Sequence, residues 1–260
     1  MRVIDSHSHL YLEQFEDDLS EVIDRAKAIG VEKILLPNVD DTTISSLLSV
    51  CNAWPDYCFP MMGLHPTSVQ KNYSEKLKII KRELESHIDR YIGIGEIGLD
   101  FYWDKTFENE QKKALLEQLH WAVEYDLPVV LHCREAFREL FELLGAFDGM
   151  PLRGVFHSFT GEKEDLMKAL AFEDFYIGIN GIVTFKNSSL SELIPLIPTE
   201  RLLLETDSPY LSPVPMRGKR NESSFLIHTL IKVADRYAME AEDLGMLTIK
   251  NTKRLFGKLK

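Results

Sequence analysis

Two histidines one residue apart, His7 and His9, close the first apolar run of the chain. In an extended strand residues i and i+2 share a face, so the two imidazoles stand side by side, as a metal ion requires. Paired histidines also arise by chance. Here five further ligand-type residues, His65, Glu96, His132, His157 and Asp207, each stand where a short apolar run stops before a helix-like stretch. That repetition points to a metal-dependent hydrolase.

His7 and His9, with Glu96 and Asp207, form one mixed ligand set, and His132 and His157 begin a second. Imidazole with carboxylate suits Zn²⁺, Mn²⁺ or Fe²⁺ and, less strictly, Mg²⁺. Six such side chains exceed what one tetrahedral ion uses, so two divalent ions are expected. The two oxygens of Glu96 would bridge them at roughly 3.5–4 Å. Such a pair activates water and stabilises charge on the attacking and leaving oxygens. Asp207, both ligand and carboxylate, is the expected catalytic base; within Asp207-Ser208-Pro209 it also reads as a turn residue or helix N-cap. His65, in Gly63-Leu64-His65-Pro66, is expected to touch a substrate oxygen, because the other six complete the metal set. Asp100 is a candidate partner behind the ligands and Tyr102 a candidate wall. Cys133, adjacent to His132, points to the opposite strand face and is not expected to ligate. The glycines at 93, 95 and 98 match a dinucleotide-binding pattern, which requires a helix to open among them. Here isoleucines continue the strand, and Phe101-Tyr102-Trp103 has no helical character.

The positions of these residues presuppose strands, and the sequence supplies eight. Apolar runs near 2–9, 33–39, 58–65, 91–99, 128–133, 153–158, 176–183 and 202–207 alternate with amphipathic stretches, clearest at 75–89, 109–125 and 162–173, with a helical tail from about 222. Near-continuous apolar strands such as Pro128-Val129-Val130-Leu131 suit a parallel sheet covered on both faces. The alternation predicts an α/β fold, a single (β/α)₈ barrel. No linker composition divides residues 1–260, so one hydrolase domain is expected. The seventh strand and the helix after it, with Pro195 and Pro198, are the weakest elements. Active sites of such barrels form at the C-terminal strand ends, where five of the eight histidines fall. His87, His120 and His228 lie on helical stretches and read as ordinary packing or surface residues. After the eighth strand, Arg217-Gly218-Lys219-Arg220-Asn221 is a basic cluster at the usual phosphate-binding corner of the fold, and Arg134 offers a second cation at the same rim.

The chain carries 30 basic against 41 acidic residues, a net charge of −11. This argues against an extended footprint on a duplex, though not against a phosphate gripped by a local patch. Three cysteines without knuckle or redox spacing, and no apolar run near the roughly 18 residues of a membrane span, suggest a cytoplasmic protein.

The motifs D-S-H-S-H-L at 5–10, G-L-H-P at 63–66, G-E-I-G-L-D at 95–100, H-C-R at 132–134, H-S-F-T-G at 157–161, L-E-T-D-S-P-Y-L at 204–211 and R-G-K-R-N-E at 217–222 together resemble the TatD family of metal-dependent deoxyribonucleases, within the amidohydrolase superfamily. The resemblance spans nearly the whole chain. It implies a barrel hydrolase that uses divalent metals to cleave phosphodiester bonds, commonly in DNA. It matches His7, His9, Glu96, His132, His157 and Asp207 to the family's metal ligands, and His65, Arg217 and Asn221 to rim positions near the substrate. The family's last motif usually continues with proline, where this chain has Ser223. Two other readings stand beside the nuclease. One is an amidohydrolase acting on a small amide or ester, against which the superfamily's amide-cleaving binuclear members typically place a carboxylated lysine where Glu96 stands. The other is a metal-binding protein without catalysis, which would need no complete ligand set with rim cations.

Overall fold

The computed structural model describes residues 1–259 and bears out eight parallel strands interleaved with helices. The strands are β1 Val3–Asp5, β2 Val31–Pro37, β3 Cys58–Met61, β4 Ile94–Asp100, β5 Val129–Arg134, β6 Gly154–Phe156, β7 Phe175–Ile179 and β8 Leu202–Leu204. Neighbours are parallel throughout the runs β1–β3 and β4–β8. The two runs meet at both seams. Between β3 and β4, Met62 N–H donates to Gly93 at 3.2 Å and Gly95 N–H to Met62 at 3.1 Å; between β8 and β1, Ser6 N–H donates to Leu204 at 3.1 Å and Asp207 N–H to His7 at 2.9 Å. The ring therefore closes into a (β/α)₈ barrel.

Packing identifies the interior. A buried apolar cluster collects single residues from strands all round the ring, among them Ile4, Leu35, Met61, Val130, Val155 and Leu203. Only the barrel axis is within reach of all of them. Outward residues such as Val129 and Leu131 join a larger cluster beneath the helices. The helices are α1 Leu19–Ala28, α2 Ile44–Ala53, α3 Tyr73–Ser86, α4 Glu108–Glu124, α5 Phe137–Gly145, α6 Lys163–Ala171, α7 Leu190–Leu193, α8 Leu226–Tyr237 and α9 Ala241–Leu255. Leu255, Phe256 and Leu259, at and beyond the end of α9, complete the axial cluster. Asn251 on α9 donates to the carbonyls of Thr199 and Leu202, and Lys258 to those of Ile88 and Tyr91. All four carbonyls lie before or at the start of a strand, so the C-terminal segment plugs the N-terminal end of the barrel.

The period of two then builds the other end. Two residues beyond Val130 stands His132, and two beyond Val155 stands His157; Leu203 is followed by Glu205 and Asp207 at the same spacing. These three strands thus each send an apolar residue to the plug and a polar one to the mouth.

One expectation needs correction, and the weakness expected of the seventh helix is realised. The tail from 222 is two helices, broken at Ala238, which adopts a left-handed conformation with φ 51° and caps α8. The segment after β7 forms only the four-residue α7 flanked by 3₁₀ turns, because Pro195 and Pro198 cannot donate to a continuing helix. Among the described residues no helix is long and apolar enough to cross a membrane.

Candidate active site and metal centre

A cavity of about 680 Å³ opens at the C-terminal mouth. At its base lies Glu96, 2% exposed, at the centre of the titratable cluster. Its two oxygens face different partners. Oε2 lies 3.1 Å from His7 Nε2 and 3.4 Å from His9 Nε2. Oε1 lies 2.9 Å from His132 Nδ1, 3.2 Å from His65 Nε2 and 3.6 Å from His157 Nε2. Asp207 Oδ1 stands 3.7, 3.6 and 3.8 Å from the Nε2 atoms of His7, His9 and His157.

These spacings test whether the residues fit a metal. Ligands bound at about 2.1 Å with tetrahedral angles sit about 3.4 Å from one another. His7 Nε2 and His9 Nε2 are 3.1 Å apart, and the gaps from this pair to Glu96 and Asp207 fall on either side of that value. The donor set fits a divalent cation: His7, His9 and Asp207 converge closely enough to hold one, and Glu96 Oε1 gathers the nitrogens of His132, His65 and His157 within 3.6 Å.

The residues behind the nitrogens orient them, a common arrangement for metal-binding histidines. His9 Nδ1 donates to Tyr11 Oη at 2.9 Å, and that hydroxyl donates to the Pro37 carbonyl at 2.5 Å. His132 Nε2 meets Asp100 Oδ2 at 2.8 Å. His157 Nδ1 faces Glu205 Oε1 at 3.0 Å as an ion-pair contact outside hydrogen-bond geometry. Gly178 makes room for Glu205, since a Cβ there would stand 2.7 Å from its carboxylate. His65 differs. Its Nδ1 lies 2.7 Å from Thr67 Oγ1 and accepts the Thr67 backbone N–H at 3.2 Å, an arrangement that favours the ring proton on Nε2, facing Glu96.

The electrostatics follow from the crowding. Burial pulls the His9, His132 and His157 imidazoles down, yet the surrounding carboxylates outweigh it and raise all three to about 9. For His7, burial and the neighbouring His157 charge win, and it falls to about 4. Burial also opposes ionisation of Glu96 and Asp207, but the facing imidazoles hold both below the ordinary carboxylate range. Without an ion, protonated histidines supply the cationic charge that the carboxylates require.

The mouth gathers His7, His9, His65, Glu96, His132, His157 and Asp207 in one cluster, as the strand ends predict. Asp207 adopts φ 57°, a left-handed conformation that Asp tolerates better than most residues. No helix begins at Asp207, so its N-cap reading is not realised. Asn221 lies elsewhere than expected. It is fully buried, its amide donates to the Thr206 and Tyr210 carbonyls at 2.8 and 2.6 Å, and its oxygen accepts from Glu222 N–H. It pins the loop carrying Asp207 and has no face toward the cavity. Arg217 is exposed, its guanidinium 3.9 Å from the Phe185 ring centre, outside the cavity wall. Arg220 is held by Asp18 at 2.8 Å.

Neither Glu205 nor Tyr11 is expected from the sequence to orient a histidine. Glu205 carried a signal, its i, i+2 spacing from Asp207. Tyr11 carried a weaker one, the same spacing from His9.

The model of the TatD-related DNase family matches residues 4–257. An uncharacterized metal-dependent hydrolase of Bacillus subtilis, YabD, is 37% identical over 255 residues, covering 98% of each chain. The 3'-5' ssDNA/RNA exonuclease TatD of Erwinia tasmaniensis is 37% identical over 249 residues, 94% of this chain and 95% of that one. Among solved structures, the TatD homologue YjjV of Escherichia coli K12 superposes with a TM-score of 0.92 at 29% identity, covering 98% of both chains.

Proposed function

Starting from the premise that the chain belongs to the TatD family of metal-dependent hydrolases, we propose that it cleaves phosphodiester bonds of unpaired DNA, and of RNA as well, from a strand end. The supporting observation is Glu96, whose two oxygens face two separate sets of donors at ligand spacing. We assign His7, His9, Glu96 and Asp207 to one divalent ion and Glu96, His132 and His157 to a second. When bound, such ions polarise a water and neutralise charge on a phosphate.

The protein's own groups supply the rest. Asp207, within 3.8 Å of three imidazoles and opening to the cavity, accepts the proton of the attacking water. His65, carrying its proton on Nε2, donates to a phosphate oxygen. Tyr11, Asp100 and Glu205 hold their histidines in the orientation that leaves the other nitrogen free. Arg217 and Lys219, outside the cavity, steady the strand beyond the cleaved bond. A flexible strand end can enter the narrow mouth, whereas a stiff duplex cannot bring its backbone to Glu96. Three buried, unpaired cysteines suit a reducing, cytoplasmic setting.

The test is turnover by Mn²⁺-, Mg²⁺- or Zn²⁺-reconstituted protein on end-labelled single strands, duplexes, and a panel of esters and amides. We expect stepwise shortening of single strands and slower attack on duplex. Amide turnover with intact oligonucleotides would overturn the proposal.

A further inference from the structure

Trp103 is the most exposed of the large apolar side chains, at 70%, although indole gains considerably from burial. It stands on the wall of the cavity that contains Glu96 and His132. Tyr102, half exposed, packs edge-on against it, ring centres 4.9 Å apart at 85°. The Arg134 guanidinium lies 3.6 Å from the Tyr102 ring centre and 5.1 Å from that of Trp103.

The loop is tied down. Asp100 Oδ1 accepts the backbone N–H groups of Tyr102 at 3.1 Å and Trp103 at 3.3 Å, while its other oxygen meets His132. One carboxylate therefore fixes both a histidine of the cluster and the aromatic loop beside it. Arg134 follows His132 by two residues on β5 and shares its face. Among the described residues its side chain makes no ion pair and no hydrogen bond, in a chain with 41 acidic residues. A guanidinium with free N–H donors on a cavity wall is suited to a phosphate.

Resting on the nuclease reading above, we propose that Trp103 is a stacking platform for one unpaired nucleobase of the bound strand, braced by Tyr102, with Arg134 holding the adjoining phosphate. Every base offers a π-face, so the platform tolerates sequence. A paired base within a helix is sandwiched by its neighbours and has no free face, so beyond the terminal pair the platform discriminates against duplex. The other occupant an aromatic patch could take is a second copy of the chain. Two side chains fall far short of the roughly 800 Å² per partner of a stable interface.

The experiment compares wild type, Trp103→Ala and Trp103→Phe on three substrates: a single-stranded oligonucleotide, the same strand made abasic at each of the three positions nearest the cleaved bond, and bis(p-nitrophenyl) phosphate, a phosphodiester without a base. Trp103→Ala is expected to raise KM for the oligonucleotide about 5- to 100-fold. Trp103→Phe should recover most of it, and the loss on the base-free ester should be far smaller. One abasic position should impose the same loss on wild type and none further on Trp103→Ala. Separately, the oligonucleotide should quench tryptophan emission in wild type held in chelator, and much less in Trp103→Phe. Unchanged KM in Trp103→Ala, equal loss on the base-free ester, no abasic position that matters, or an altered sedimentation coefficient in place of altered strand binding would each overturn the platform. If wild type cleaves neither oligonucleotide nor ester, the nuclease reading fails, and quenching still decides whether bases stack on Trp103.

Discussion

The two ends of the barrel are built by the same strands and obey opposite rules. At the N-terminal end, Ile4, Val130, Val155 and Leu203 meet Phe256 and Leu259 in a dry plug. Two residues further along β5 and β6, about 7 Å, the alternation delivers His132 and His157 to the mouth, and Asp207 follows four residues beyond Leu203. The plug is ordinary core, in which every group gains from leaving water. The mouth buries charge at a cost, which the facing charges and orienting hydrogen bonds offset only in part. The barrel can hold that arrangement because the apolar plug and the backbone ladder between the strands stabilise the ring. Substitutions should therefore separate into two classes, changes at the mouth that abolish turnover with little effect on stability and changes at the plug that do the reverse.

The sharpest break in that division would come at Asp207. Asp207→Asn keeps the shape of the side chain but cannot take the water's proton. Turnover should fall about 10²- to 10⁴-fold, with a melting temperature close to wild type. A variant with near wild-type kcat would move the base elsewhere.

At the other end, Phe256→Ala empties the plug. Stability should drop by about 3–5 kcal/mol, read from denaturant midpoints, while KM and metal affinity of the folded fraction stay unchanged. Loss of metal binding in the folded variant would mean the plug and the mouth are one cooperative unit.

Glu205→Gln probes the mouth from behind, since the amide preserves volume but not the charge facing His157 Nδ1. Metal affinity or activity should fall about 10- to 100-fold, with circular dichroism unaltered. Wild-type metal affinity and turnover together would reduce Glu205 to filling the space beside Gly178.

The smallest effect belongs to the outer rim. Arg217→Ala with Lys219→Ala should raise KM for oligonucleotides a few-fold at low salt, leave kcat alone, and flatten the salt dependence by about 0.7 per lost phosphate contact. A drop in kcat instead would place these cations at the chemistry.

What the sequence made legible follows the same division. Strand ends announced themselves because a ligand residue after an apolar run violates the pattern of the run. Hence the cluster from His7 to Asp207 could be read before any coordinates. Direction was harder. Asn221 matches a rim motif by order, yet its amide turns inward to the Thr206 and Tyr210 carbonyls, which no spacing reveals. Tyr11 is anchored on a carbonyl distant in sequence, that of Pro37, and Glu205 faces a distant imidazole, His157. The break at Ala238 is similarly silent, because alanine is a helix former and carries no signal for the left-handed turn it adopts. The shortened α7 was visible in advance, since prolines state their constraint locally.

The account stands on Glu96 as the bridge between two sets of donors. The direct test is metal content, measured by mass spectrometry on wild type and Glu96→Ala after equilibration with Mn²⁺ and removal of free ion. Two equivalents in wild type and one or none in the variant are the predicted result. Two equivalents retained by Glu96→Ala would contradict the bridge.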